Sequence, residues 1–139
     1  HLAEAYPDLL VGIEHGDDAW EANVLGAFHR LGLVEKKLGK VAVALDDDWA
    51  QRHKAFHFAL FSGSPSSLLL RMVDSLFDRA ERYRRFSALH RTGERRKGDE
   101  HKQLMDAALA RDTEKAVALH QRHVNGTLAR VTEVLPTLQ

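Results

Sequence analysis

The 139-residue chain has no cysteine, which excludes disulfide frameworks, zinc knuckles, iron–sulfur clusters and thiol nucleophiles. The absence fits a reducing compartment, so a cytoplasmic location is expected. With three Pro and nine Gly the chain is neither collagen-like nor a low-complexity tract. Neither sign of charge dominates: 20 Lys and Arg balance 20 Asp and Glu. Such a balance gives no overall field for gripping a phosphate backbone or an anionic membrane, so the chain by itself is not expected to bind nucleic acid. No apolar run approaches the roughly 20 residues that cross a bilayer, and the opening HLAEAYPDLL lacks the basic-then-apolar layout of a signal peptide. Also missing are HExxH, GxSxG, a phosphate-binding glycine loop and the paired Glu-x-x-His of di-iron bundles. What is present is the apolar content of a folding chain, 44%, at the length of one domain, together with nine histidines.

Apolar positions recur at helical spacing between short breaks marked by Gly, Asp or Ser, and this predicts six helices. The first spans about Leu2 to His15, with Gly16 in the left-handed conformation that stops a helix. Asp17 or Asp18 caps the second, whose stripe of Trp20, Val24, Leu25, Phe28, Leu31 and Leu33 runs to about Leu38 before Gly39. KVAVAL (40–45) is read as a linker or frayed helix end rather than a partnerless strand. Asp46, Asp47 and Asp48 crowd the start of the third helix, where carboxylates favour the positive end of the dipole; a calcium loop would need spaced ligands and a turn glycine. Ser64-Pro65 is read as an N-cap and first-turn proline opening a fourth helix. Leu69, Met72, Val73, Leu76, Phe77, Ala80 and Tyr83 share its apolar face, and Asp78–Arg82 and Glu81–Arg85 pair on the other. The polar run RTGERRKGDE (91–100) is read as an exposed loop. A fifth helix is predicted from about Asp99 to Ala110, and a sixth, capped by Asp112, to Leu135 before Pro136.

The histidines draw the chemistry. His53 and His57 lie four apart, so on a helix their rings rise about 6 Å apart, close enough to share one metal. His53 falls on the stripe marked by Trp49, Phe56 and Leu60, and His57 flanks it. His101 is in register with Leu104, Met105 and Ala108, while His123 and His120 share one side of the last helix. Three helices therefore each bring an inward imidazole to a bundle, where facing side chains assemble metal sites. A histidine on an apolar face is also commonly a hydrogen-bonded core residue, so spacing alone leaves both readings open. His15, His29 and His90, near helix ends or on polar faces, are read as structural.

The stretches HKAFHFALFSGSPSSLLLRMVDSLFDRAERYRRFS and DEHKQLMDAALARDTEKAVALHQRHV, with GDDAWEANVLGAFHRL upstream, resemble the C-terminal FCD-type effector-binding domain of GntR-family bacterial transcription regulators, of the FadR subfamily. The likeness rests on a ligand position four residues before the His of FH, a small residue with Pro opening the next helix, RYR, EH, an acidic A-x-x-R-D turn and a last helix with His. It implies an all-α antiparallel bundle of six to seven helices around a pocket. A divalent metal, zinc or nickel, is implied at its base, with His53, His57, His101 and His123 as ligands. Many members have Asp or Asn where His53 stands. Four neutral imidazoles leave the cation its full charge, which favours zinc, nickel or copper over magnesium or manganese and makes the pocket more cationic.

The effector implied is a small mono- or dicarboxylate. Arg84 is the candidate wall guanidinium, with Tyr83 as hydroxyl donor and His120 joining the site or supporting it; a solvated basic face is the other reading of RYRR, preferred for Arg82 and Arg85. Residues 8–14, DLLVGIE, lack the pocket arginine of many relatives, and Phe58 and Phe61 either line the pocket or pack between helices. The resemblance further implies a homodimer in which residues 1–139 sense and dimerise, DNA being read by a winged helix-turn-helix domain outside this chain, and no enzymatic activity. The alternative is a metal-dependent enzyme on a bundle similar to the DinB-like proteins, for which Glu100, a third of a turn from His101, is no obvious base.

Overall fold

Residues 9–38, 47–89 and 97–134 are described by the computed structural model, and every regular element among them is helical. Of the first expected helix the described part is its end: Leu9 and Leu10 are helical and run into a 3-10 turn at Val11–Ile13. The α-helices that follow are α1 (Asp18–Leu38), α2 (Asp47–Phe61), α3 (Ser67–Leu89), α4 (Lys97–Leu109) and α5 (Thr113–Val134). Gly39, KVAVAL, Asp46, His90 and the 91–96 portion of the polar run lie outside the described residues, whereas Lys97 to Glu100 are helical, so α4 starts two residues before the expected point.

Side-chain oxygens set the helix starts. Asp17 accepts from the Trp20 N–H at 2.8 Å, and Asp112 accepts from the Lys115 N–H at 3.1 Å. The expected cap at Ser64 is displaced by two residues. Ser66 Oγ accepts from the Leu69 N–H at 3.1 Å and the Ser66 carbonyl accepts from the Leu70 N–H at 3.1 Å, while Ser64 only supports the turn through the Ser66 N–H. α4 ends with Arg111 in the left-handed region, φ 61°. The Arg111 and Asp112 N–H groups close back onto the Ala108 and Ala107 carbonyls, each at 3.0 Å. The Arg111 guanidinium lies over Trp20 and donates to the Ile13 carbonyl, tying this turn to the opening of the chain.

The core is built where helical stripes meet. On α1 the inward positions are Trp20, Val24, Ala27, Leu31 and Val34. Leu25 and Leu33, placed on the stripe by the sequence, are 44% and 51% exposed, because each stands one residue, or about 100°, away from an inward position, Val24 and Val34 respectively. These residues meet Trp49, Phe56, Leu60 and Phe61 of α2 and Leu104 and Ala108 of α4. Each large apolar side chain buried this way contributes roughly 1.5–3 kcal/mol before entropy is set against it.

Two glycine contacts fix the opening of the chain. A Cβ on Gly63, just after α2, would lie 2.9 Å from the Gly12 Cα, and one on Gly12 would collide with the Gly63 backbone. The 3-10 turn can therefore press against the end of α2, which buries Leu9, Leu10 and Ile13. Gly16 is not the left-handed stop expected of it. It is small because a Cβ there would run into the Trp20 ring and the Arg111 guanidinium.

The apolar face of α3 behaves differently from the others. Val73 is buried, but Met72, Leu76 and Tyr83 are 53%, 39% and 45% exposed. Charge pairs to α2 hold this helix at its middle and toward its C-terminal end: Lys54 bridges Asp74 and Asp78, and Arg85 reaches Asp47 at 2.6 Å. Asp78 thus serves Lys54 rather than the expected Arg82, whereas Glu81 and Arg85 do approach, at 3.6 Å. α3 is held against the bundle while its apolar face borders a cavity.

Candidate metal centre

His53 and His57 from the middle of α2, His101 from the second turn of α4 and His123 from the middle of α5 are all buried. One ligand atom from each lies within 4.8 Å of all the others. The rings point at one another: His57 Nε2 and His53 Nε2 are 3.1 Å apart, and the His101 and His123 ring centres are 4.9 Å apart. Trp49 stacks on His53 at 4.3 Å, fixing that ring from behind. The sequence placed His57 only at the flank of its stripe; it is among the buried residues with His53.

Two carboxylates that the sequence reading did not assign hold the outer nitrogens. Glu35 of α1 approaches His101 Nδ1 at 3.4 Å, and Glu100 approaches His123 Nδ1 at 2.6 Å. A carboxylate at Nδ1 makes that nitrogen the N–H donor and leaves Nε2 as a lone-pair ligand facing inward, the arrangement that supports metal-bound histidines. Glu100 follows from its place beside His101 only once α5 is packed against α4. Nothing in the sequence near Glu35 signals a partner 66 residues away.

The cluster's chemistry fits a divalent ion. Burial, with His53, His123, His101 and His120 around it, pushes His57 well below the ordinary imidazole value of 6.5, so its ring is neutral and carries a lone pair near neutral pH. His57 Nδ1 is enclosed and meets no hydrogen-bond partner among the described residues. An all-nitrogen set of neutral imidazoles suits zinc, nickel or copper. Glu35 and Glu100 bring two negative charges against the outer edge of the cluster, so an ion there is less cationic toward its surroundings than the four imidazoles alone imply.

The cluster opens on a cavity of about 320 Å³ between α2, α3 and α5, lined by His53, His57 and His123 at one end and by mostly apolar side chains elsewhere. The three residues considered for effector contact, Tyr83, Arg84 and His120, all line it. They differ in character. His120 stands outside the four-residue group, its ring centre 5.4 Å from that of His57, and burial beside His123 and His101 pushes it down to about 3. Tyr83 is at the rim. Arg84 is already engaged: its Nη2 donates to Glu81 at 2.6 Å and to the Phe77 carbonyl at 3.2 Å, and its guanidinium lies 4.3 Å from the Phe77 ring centre. Phe61 lines the cavity, whereas Phe58 packs between Phe61 and Phe77. His15 and His29, read as structural, are exposed and outside the cluster. No helix among the described residues is long and apolar enough to cross a membrane.

Known proteins share this arrangement of helices. The sequence profile of the FCD domain matches residues 13–126. The chain is 36% identical over 119 residues to the HTH-type transcriptional regulator BphR of Paraburkholderia xenovorans strain LB400, covering 86% of this chain and 49% of that protein. It is 40% identical over 119 residues to the HTH-type transcriptional repressor GlaR of Escherichia coli strain K12, covering 82% of this chain and 53% of that one. The chain thus spans about half the length of the curated relatives it matches. The fold is also that of a GntR-family transcriptional regulator from Pseudomonas syringae pv. tomato, with a TM-score of 0.73 at 23% identity over 99% of this chain and 54% of that one. The chain belongs to the FCD domain family, and its relatives are transcription regulators of the helix-turn-helix kind.

Proposed function

We propose that this chain is the sensing domain of a GntR-family transcription regulator. In this reading it takes up a small organic acid at a divalent metal, zinc or nickel, held by His53, His57, His101 and His123. The observation that supports it is the meeting of four buried imidazoles from three helices at the end of an otherwise apolar cavity. A divalent ion bound by them supplies a Lewis-acid position for an oxygen anion. The chain's own residues do the rest. Glu35 and Glu100 hold the His101 and His123 rings in register, Trp49 backs His53, and α3 closes the far wall, with Tyr83, Arg84 and His120 bordering the acid.

No bond is made or broken. Occupancy changes the relative populations of α3 and α5 arrangements, and it reaches DNA only through the acid's different affinity for those states. The DNA-reading part is a helix-turn-helix domain outside this chain, the working form is a homodimer, and the compartment is the cytoplasm.

Thermal denaturation of the zinc-loaded chain with a panel of short mono- and dicarboxylates, before and after chelation, tests the reading. At a ligand concentration 100 times Kd the folded state gains about 2.7 kcal/mol, a readily measured rise in Tm. Chelation should abolish this rise. Equal shifts with and without metal would place the acid elsewhere.

A further inference from the structure

The geometry points to an effector with one carboxylate and an apolar body, a medium-chain or aryl monocarboxylate, rather than a dicarboxylate. The inference rests on the proposed anchoring of a carboxylate at the histidine cluster and narrows what is attached to it. Among the described residues, Arg84 is the sole Lys or Arg that lines the cavity. Its charge is spent locally: Glu81 pairs with it at 2.6 Å, both side chains about 15% exposed or less, and the neighbouring cation Arg85 is matched by Asp47 at 2.6 Å. The one cation on the α3 wall is therefore neutralised by its own neighbour, with no surplus charge for a second carboxylate.

The cluster end has the same balance. Glu35 and Glu100 set two negative charges behind the imidazoles, against the two positive charges of one divalent ion. What remains there is a directional position for one oxygen anion, not a field that draws in polyanions. Between the two ends most of the wall is Leu9, Phe61, Val73, Leu76, Leu128 and Val131, and the polar side chains beside them, Tyr83, Thr127 and His120, bring no positive charge. A second carboxylate placed there would be desolvated without a cation to offset it, a costly arrangement for a buried ion. An alkyl or aryl tail would gain from the same walls. A volume of about 320 Å³ lies at the small end of ligand sites and has room for an acid of hexanoate or phenylacetate size.

Calorimetric titration of the zinc-loaded 139-residue chain with butanoate, pentanoate, hexanoate and adipate tests this. Each added methylene should tighten monocarboxylate binding about fourfold, and hexanoate should bind roughly tenfold or more tightly than adipate, which has the same carbon count. Leu76 is on the cavity rim at 39% exposure, so Leu76→Lys adds a cation without emptying the core. It should improve adipate relative to hexanoate by roughly tenfold. Adipate binding as tightly as hexanoate in the unaltered chain would overturn the inference while leaving carboxylate anchoring intact. Zinc-independent binding, or none by any of the four acids, would overturn the anchoring and the inference with it.

Discussion

His123 Nδ1 and the Glu100 carboxylate stand 2.6 Å apart, joining the middle of α5 to the first turn of α4. The contact leaves the other ring nitrogen of His123 as the lone-pair atom of a ring that stacks beside His57, centre to centre 5.3 Å at an interplanar angle of 26°. Glu35 does the same for His101 from α1. Replacing either carboxylate by its amide keeps the shape and removes the charge, so Glu100→Gln and Glu35→Gln should each weaken metal affinity by about 10- to 100-fold. Competition with a chromophoric chelator reads the affinity, and far-UV circular dichroism should show unchanged helix content. Affinity unchanged in both variants would mean that the carboxylates do not position the rings.

The metal-free chain should lose stability in acid in a defined window. His57 and His120 are held neutral by burial, with folded values below the ordinary 6.5, that of His120 at about 3. Below pH 6.5 the unfolded chain takes up protons that these rings refuse in the fold. Stability is therefore full above 6.5 and falls as the pH drops below it, for His120 down to about 3, by up to about 1.4 kcal/mol per pH unit for each ring. Urea denaturation at intervals from pH 7.5 to 4.5 measures the slope. His120→Gln should reduce it, and an unchanged slope in that variant would remove His120 from the account.

Gly63→Ala should destabilise the fold by about 1–3 kcal/mol, because its Cβ meets backbone that cannot rotate away. The nearest atom is the Gly12 Cα at 2.9 Å. Relief of the clash moves the 3-10 turn and with it Leu9, which lines the cavity. The same variant should thus weaken carboxylate binding as well as lower Tm, whereas Gly32→Ala, where a Cβ meets nothing within 4 Å, should be neutral or slightly stabilising.

Much of this was legible in the sequence, for physical reasons that differ between residues. His53 and His57 were readable because four-residue spacing puts two rings on one helical face, and because Trp49, Phe56 and Leu60 say which way that face points. The stripe on α3 was readable as apolar but not as a cavity wall: periodicity reports that a face avoids water, and is silent on whether protein or a ligand covers it. Glu35 was invisible, since its role comes from a contact across 66 residues. The cap at Ser66 instead of Ser64 turned on which hydroxyl reaches the Leu69 N–H, a choice that local composition does not make. Arg84 lines the cavity, yet its carboxylate partner lies three residues away on its own helix, at Glu81.

Four imidazoles that share one ion set the metal content of the chain. Protein purified without an immobilised-metal column, loaded with zinc and dialysed, should retain about one ion per chain by elemental analysis. His57→Ala, which removes the ring at the centre of the cluster, should retain almost none. Equal metal content in the two proteins, or none in the unaltered chain, would mean that the four histidines do not hold an ion.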